Sequence, residues 1–264
     1  MSHHFRRSML LILLAALLSL PAHAAPKSVP VQINGIQFDA VCYLDRGVTY
    51  VPLRSLCLAL GDWDVQWDAV TQTATAVSGE NRLFAAALSD TITINSQQLA
   101  GQVMLKNGRT YVPLRIVMEA MGAKVEWDPY MGGAAVTTAD FPYDAMDLYW
   151  LSHVIHAESC AEPEKGQIAV GNVVLNRVNS KIFPNTIPDV VFDRKDAVQF
   201  EPVENGSIYQ TPSAQSIACA KAALDGKNVI GNALYFYAPA LSKGVWINAN
   251  CTYLQTIGGH RFYI

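Results

Sequence analysis

Residues 153–178 read HVIHAESCAEPEKGQIAVGNVVLNRV, and the folding of this stretch decides the second half of the chain. Leu151, Val154 and Ile155 precede Glu158 at helical steps of three and four and put it on their own face. A carboxylate on the buried side of a helix must be paired, bound to a metal, or kept neutral by a raised pKa. The last state describes a general acid working near neutral pH. The plain alternative is a half-exposed Glu whose stem runs past apolar neighbours. The same periodicity predicts helices over 144–160 and 163–179, the second presenting Val170, Val173, Val174 and Val178 and ending in Asn176-Arg177. An irregular stretch to 211 follows, then a helix over 212–225 opened by Thr211 and Pro212 and closed by Gly226. The tail, with GNALYFYAPA, Trp246 and IGGHRFY, is too aromatic for a solvated loop and suits the wall of a groove.

Working outward, the first half contains a duplication. Residues 30–54 (PVQINGIQFDAVCYLDRGVTYVPLR) and 91–115 (TITINSQQLAGQVMLKNGRTYVPLR) match at an offset of 61 through Ile33/Ile94, Asn34/Asn95, Gly47/Gly108 and all of TYVPLR. After a slip of one, Trp67-Asp68 recurs as Trp127-Asp128. Each copy predicts a strand, a turn at Arg46-Gly47 or Asn107-Gly108, and a second strand running into Val-Pro. A short helix with Leu53, Leu56, Cys57 and Leu60, or Leu114, Val117, Met118 and Met121, on its apolar face comes next, closed by Gly61 or Gly122. The doubled YVPLR…W-D unit resembles the copper amine oxidase N-terminal-like domain over about 29–138. That resemblance implies a small α+β stalk or wall-association module. No His falls between 29 and 138, so copper has no imidazole ligand there. Trp63, Trp67 and Trp127 suit sugar stacking, but the expectation is buried cross-strand indoles.

The chain of 264 residues begins with a basic Arg6-Arg7, the apolar MLLILLAALLSL and Ala22-His23-Ala24, so 1–24 reads as an export signal. The apolar run is short for a bilayer and no second follows, so no transmembrane span is expected after signal removal. Removing the signal takes the formal charge from −3 to −5. With no basic stripe to track phosphates, a nucleic-acid partner is not expected. Five Cys, an odd number, leave at least one thiol unpaired, and their spacing names no pairs. Pro142 and a change of periodicity place a boundary near 139–143. The whole predicts an α+β two-domain chain: a small duplicated α+β module over 29–138 and a mainly α domain over 144–264.

That second domain carries A-E (157–158), GQIAVGNVVLNRV (166–178), FPNTIPDVVFDRKDAVQFEPVENGSIY (183–209), ALYFYAP (233–239) and IGGHRFY (257–263). In this order the motifs resemble the spore cortex-lytic (SleB-type) cell-wall hydrolase family over about 146–263. The resemblance implies a lysozyme-like or lytic-transglycosylase-like fold, peptidoglycan as substrate and partner, an extracytoplasmic location at wall or cortex, and no cofactor. It also implies that Glu158 is the catalytic acid. A glycosidic oxygen needs a proton to leave near neutral pH, and burial against Leu151, Val154 and Ile155 raises the pKa of the group that supplies it. A lytic transglycosylase needs no second carboxylate. Glu201 is the candidate for one if the reaction is hydrolysis, while Glu162 and Glu164 suit the start of the next helix. Gln199 is a candidate to bind an N-acetyl group and Phe200 to lie beneath a sugar. Tyr235 and Tyr237, on one face of a strand, are candidates to reach the substrate. Asn176 either shapes the groove or caps its helix. His153, His156 and His260 raise a zinc amidase as the rival chemistry, but His153 and His156 lack the H-E-x-x-H spacing and no metal site is expected.

Overall fold

The computed structural model describes residues 26–195 and 198–264, so the export signal read at 1–24 lies outside the described residues. The TYVP strands of the two repeats, Val48–Pro52 and Arg109–Pro113, pair antiparallel with each other at the centre of a five-stranded sheet, Val51 opposite Val112. Each is reached through a tight hairpin: Arg46 and Gly47 (φ 48° and 81°), and Asn107 and Gly108 (51° and 70°), both take left-handed conformations. Two successive positive φ values are the type I′ turn, whose twist matches the strands it joins. Pro52 and Pro113 end the strands in extended conformation and open the short helices α1 (Leu53–Ala59) and α2 (Leu114–Ala120). These bury Leu53, Leu56 and Cys57, and Leu114, Val117 and Met118, in one shared core.

The meander Asp64–Asp68, Thr73–Ser78, Asn81–Ala86, Thr91–Ile94 and Gln97–Ala100 forms a second sheet that runs from the end of the first repeat into the start of the second. The second repeat ends differently. Its hairpin Lys124–Asp128/Gly133–Thr137 is completed by Val31–Ile33 from the start of the chain, in parallel. The Trp residues differ from expectation: Trp67 and Trp127 are 44% and 47% exposed, and only Trp63 packs on the core. Both indoles lie on strands at the edge of their sheets, where no further strand covers them.

The second half comprises α3 (Ala145–Ser159), α4 (Glu164–Val178), α5 (Ile187–Val191), α6 (Glu201–Asn205), α7 (Ala214–Leu224) and α8 (Val245–Asn250), with a small antiparallel sheet of Tyr235–Tyr237, His260–Tyr263 and Tyr253–Ile257. Asp144 caps α3 by accepting from the Met146 and Asp147 N–H groups. The stretch expected to be irregular to 211 holds α5, α6 and a turn of 3₁₀ helix, and Ser213, rather than Thr211, caps α7. Nor is α3 buried on one face alone: Trp150, Leu151, Ser152, His153, Val154 and Ile155 are all at most 4% exposed. The reason is that the repeat module covers the side that α4 and α7 leave open. The Asp128 carboxylate accepts the Trp150 Nε1–H at 2.7 Å, and Tyr130 stacks on Phe192 at 4.2 Å while donating its hydroxyl to Asp189 at 2.6 Å. Gly35 approaches Leu148 so closely that a Cβ there would sit 2.9 Å from it, and Asn34 exchanges hydrogen bonds with Thr138. All five Cys are free thiols. No helix among the described residues is long and apolar enough to cross a membrane.

Candidate active site

Glu158 sits in the last turn of α3, within electrostatic reach of Glu201 at the start of α6 and Arg177 near the end of α4. Burial and, next, the charge of Glu201 push its carboxyl up to about 7, against the opposing charge of Arg177. A carboxylic acid that is half protonated near neutral pH can give a proton and take one back.

Arg177 joins this carboxyl to a cleft of about 840 Å³, whose walls include Phe183, Tyr235 and Trp246 with Asp193 and Gln199 as polar members. Its guanidinium is 4% exposed and lies 4.8 Å from the Phe183 ring centre and 5.1 Å from that of Phe200. Its Nε–H donates to the Leu234 carbonyl at 2.8 Å. Burial lowers its pKa to about 10, while Tyr235, Asp193 and Glu158 pull it back up. It therefore stays charged at neutral pH. Glu158 does not itself line the cleft but lies within the field of the arginine that does.

Of the residues singled out in the sequence, Gln199 and Tyr235 line the cleft, and Tyr235 meets Trp246 edge-on at 5.7 Å. Three others are placed differently. Phe200 is 1% exposed, its ring covered by Arg177, so it is core and no platform for a sugar. Asn176 donates to the Gly231 and Ala233 carbonyls at 2.8 and 2.9 Å, fixing the loop before strand Tyr235–Tyr237 rather than facing the groove or capping its own helix. Tyr237 is 9% exposed and its hydroxyl accepts from Asn248 Nδ2 at 3.0 Å, so it holds α8. Its ring passes so near Gly244 (φ 56°) that a Cβ there would lie 2.5 Å from it. Phe183, Asp193 and Trp246 all fall within stretches read above, but none of them is singled out there as a site residue.

The three histidines diverge. His153 donates to the Ile208 carbonyl at 2.7 Å and burial lowers it to about 4; His156 meets Ser216; His260 faces Glu162 at 3.7 Å. Among the described residues no three His, Cys, Asp or Glu side chains are grouped to hold a metal ion.

The site thus comprises a helical domain with an aromatic cleft beside a proton-holding carboxyl, preceded in the chain by a duplicated sheet module. Residues 161–263 match the family described as Cell Wall Hydrolase, and 31–135 the Copper amine oxidase N-terminal domain. The C-terminal half is thus similar to the cell wall hydrolase family and the N-terminal half to the copper amine oxidase N-terminal domain. Glu158 lies three residues before the matched span. The chain is 37% identical to a spore cortex-lytic enzyme of Bacillus cereus over 122 residues, which are 46% of this chain and 45% of that protein. It is 32% identical over 116 residues to the spore cortex-lytic enzyme of Bacillus subtilis, 44% of this chain and 37% of that one. It thus spans less than half the length of these relatives. Among solved structures it is similar to the catalytic domain of the germination-specific lytic transglycosylase SleB from Bacillus anthracis (35% identity, 47% of this chain, 98% of that one, TM-score 0.41).

Proposed function

We propose that this protein is an exported enzyme that cuts the glycan strand of peptidoglycan between N-acetylmuramic acid and N-acetylglucosamine, as a lytic transglycosylase with Glu158 as its single acid and base. The observation that carries the reading is a carboxyl raised to about 7 beside an aromatic, arginine-floored cleft. Glu158 gives its proton to the bridging oxygen as the C1–O bond breaks. The carboxylate then takes the proton of the muramyl 6-hydroxyl while that oxygen bonds C1, which closes a 1,6-anhydro ring and restores the acid without water. Arg177 steadies the carboxylate between the two steps, and Gln199 and Tyr235 contact the sugar. The names of the relatives support the substrate class. Digestion of purified peptidoglycan followed by mass analysis of the fragments tests this: anhydromuramyl ends are expected, and free stem peptides or no release would overturn it.

Glu201 favours one second reading, because a carboxylate close enough to raise Glu158 is placed to direct a water. Reducing ends that take up ¹⁸O from labelled water would select hydrolysis. The pH profile checks the acid in either case. Glu158 must hold its proton to start the reaction, so kcat/KM falls as pH rises through about 7. Removing the Glu201 charge lets Glu158 ionise more easily, so Glu201→Gln moves that limb to lower pH. An unmoved limb would assign it to another group.

A further inference from the structure

The repeat module contains a second cavity, of about 410 Å³, far in the chain from the catalytic residues. Its walls include Trp67, 44% exposed, the arginines Arg54 and Arg109, and Asp39. Neither arginine forms an ion pair among the described residues.

The duplication supplies an internal comparison. Arg115 occupies in the second copy the place of Arg54, and there it is tied to Glu119 and to the Val125 carbonyl. Leu58 stands where Glu119 would be, so Arg54 keeps its charge without the carboxylate that holds its counterpart. Ser55 stands where Ile116 packs its Cδ1 against Gly101. Strand Lys124–Asp128 buries Val125 and Asp128, whereas no residue of Asp64–Asp68 is buried. One copy fills this corner with its own side chains; the other leaves it open, with a flat indole and two guanidinium groups outside any ion pair around it. An indole face packs on the C–H face of a pyranose, and a guanidinium takes a carboxylate in two parallel hydrogen bonds. A ligand that satisfies both is a saccharide that carries carboxylates.

We propose that this cavity binds peptidoglycan glycan, with Trp67 against a sugar ring and Arg54 and Arg109 on a lactyl or stem-peptide carboxylate, and so holds the enzyme to its substrate at a second point. The choice of this glycan over other anionic saccharides rests on the wall-cleaving reading of the C-terminal domain. The test is co-sedimentation with insoluble peptidoglycan, using the chain carrying Glu158→Gln so that the material is not digested. Trp67→Ala or Arg54→Gln should raise the apparent Kd by at least about tenfold, as expected when one of two linked contacts is lost. Trp127→Ala, which removes an equally exposed indole from the other copy, should leave it unchanged. Parental binding by both Trp67→Ala and Arg54→Gln would overturn the proposal, as would an equal loss in Trp127→Ala. Binding that disappears once phosphodiester polymers are stripped from the wall would move the ligand to those polymers and also overturn it. Digestion by the chain with Glu158 intact is scored separately. Trp67-dependent binding without cleavage would sink the catalytic reading alone, and cleavage without Trp67-dependent binding would sink the cavity alone.

Discussion

Glu158→Gln leaves the chain folded and lowers glycan cleavage about a thousandfold, within the range that a general acid contributes. The amide keeps the shape of the side chain but neither gives an acidic proton nor takes one back, so both halves of the reaction lose their proton carrier. Among the described residues no hydrogen bond or ion pair holds the Glu158 carboxyl, so no network collapses with it. The stability effect has a definite sign. A carboxyl raised to about 7 in the folded chain keeps a proton that the unfolded chain gives up at lower pH, so folding loses stability as pH rises from its ordinary value to about 7. Gln removes that loss. Thermal melts should therefore show the variant gaining on the parent at pH 8 and little at pH 4. Fragments released at the parental rate would remove Glu158 from the chemistry.

The largest stability effect outside the cleft is expected at the junction of the halves. Trp150 is fully buried, and its Nε1–H gives the buried Asp128 carboxylate a charge-assisted bond. Trp150→Phe keeps most of the apolar packing but leaves one Asp128 oxygen facing a ring. The backbone N–H groups of Tyr130 and Met131 still bind the other oxygen, so the carboxylate stays where it is. Losing such a bond in the interior costs about 2–3 kcal/mol, or about 5–10 °C in Tm for a chain of this size. Asp68→Ala is the comparison. Its carboxylate also accepts from two backbone N–H groups, which lower its pKa, but it is exposed and meets no indole. Equal melting shifts for the two variants would mean that the buried bond contributes nothing special.

What could be read from the sequence was local. The two long helices lie within a residue of their expected ends, because Asp144 caps one and Pro163 opens the other. The hairpins at Gly47 and Gly108 follow from residues that must adopt positive φ. What escaped was non-local. Periodicity says that Val51 and Val112 lie in strands but not that they face each other, nor that Val31 returns to pair with Ala134. Helix α3 looked one-sided because the partners of Trp150 and His153 lie in distant segments. At the candidate site, motif and pattern singled out Gln199 and Tyr235, which line the cleft, and Glu158, which lies within the field of Arg177. The places of Phe200 and Asn176 were not legible, since burial under Arg177 and reach toward Gly231 and Ala233 depend on the loops around them.

The two Trp-Asp pairs began as copies, yet only one now answers to the other half of the molecule. Asp128 has taken on a partner outside its own repeat, while Asp68 serves its own turn and nothing beyond it. The same residue in the same motif therefore has two different freedoms to change. A library covering every amino acid at both positions, sorted for folded protein, should return many residues at 68 and few besides Asp at 128. Duplication here left a spare part, and the spare is where new chemistry can be acquired without loosening the junction between the two halves.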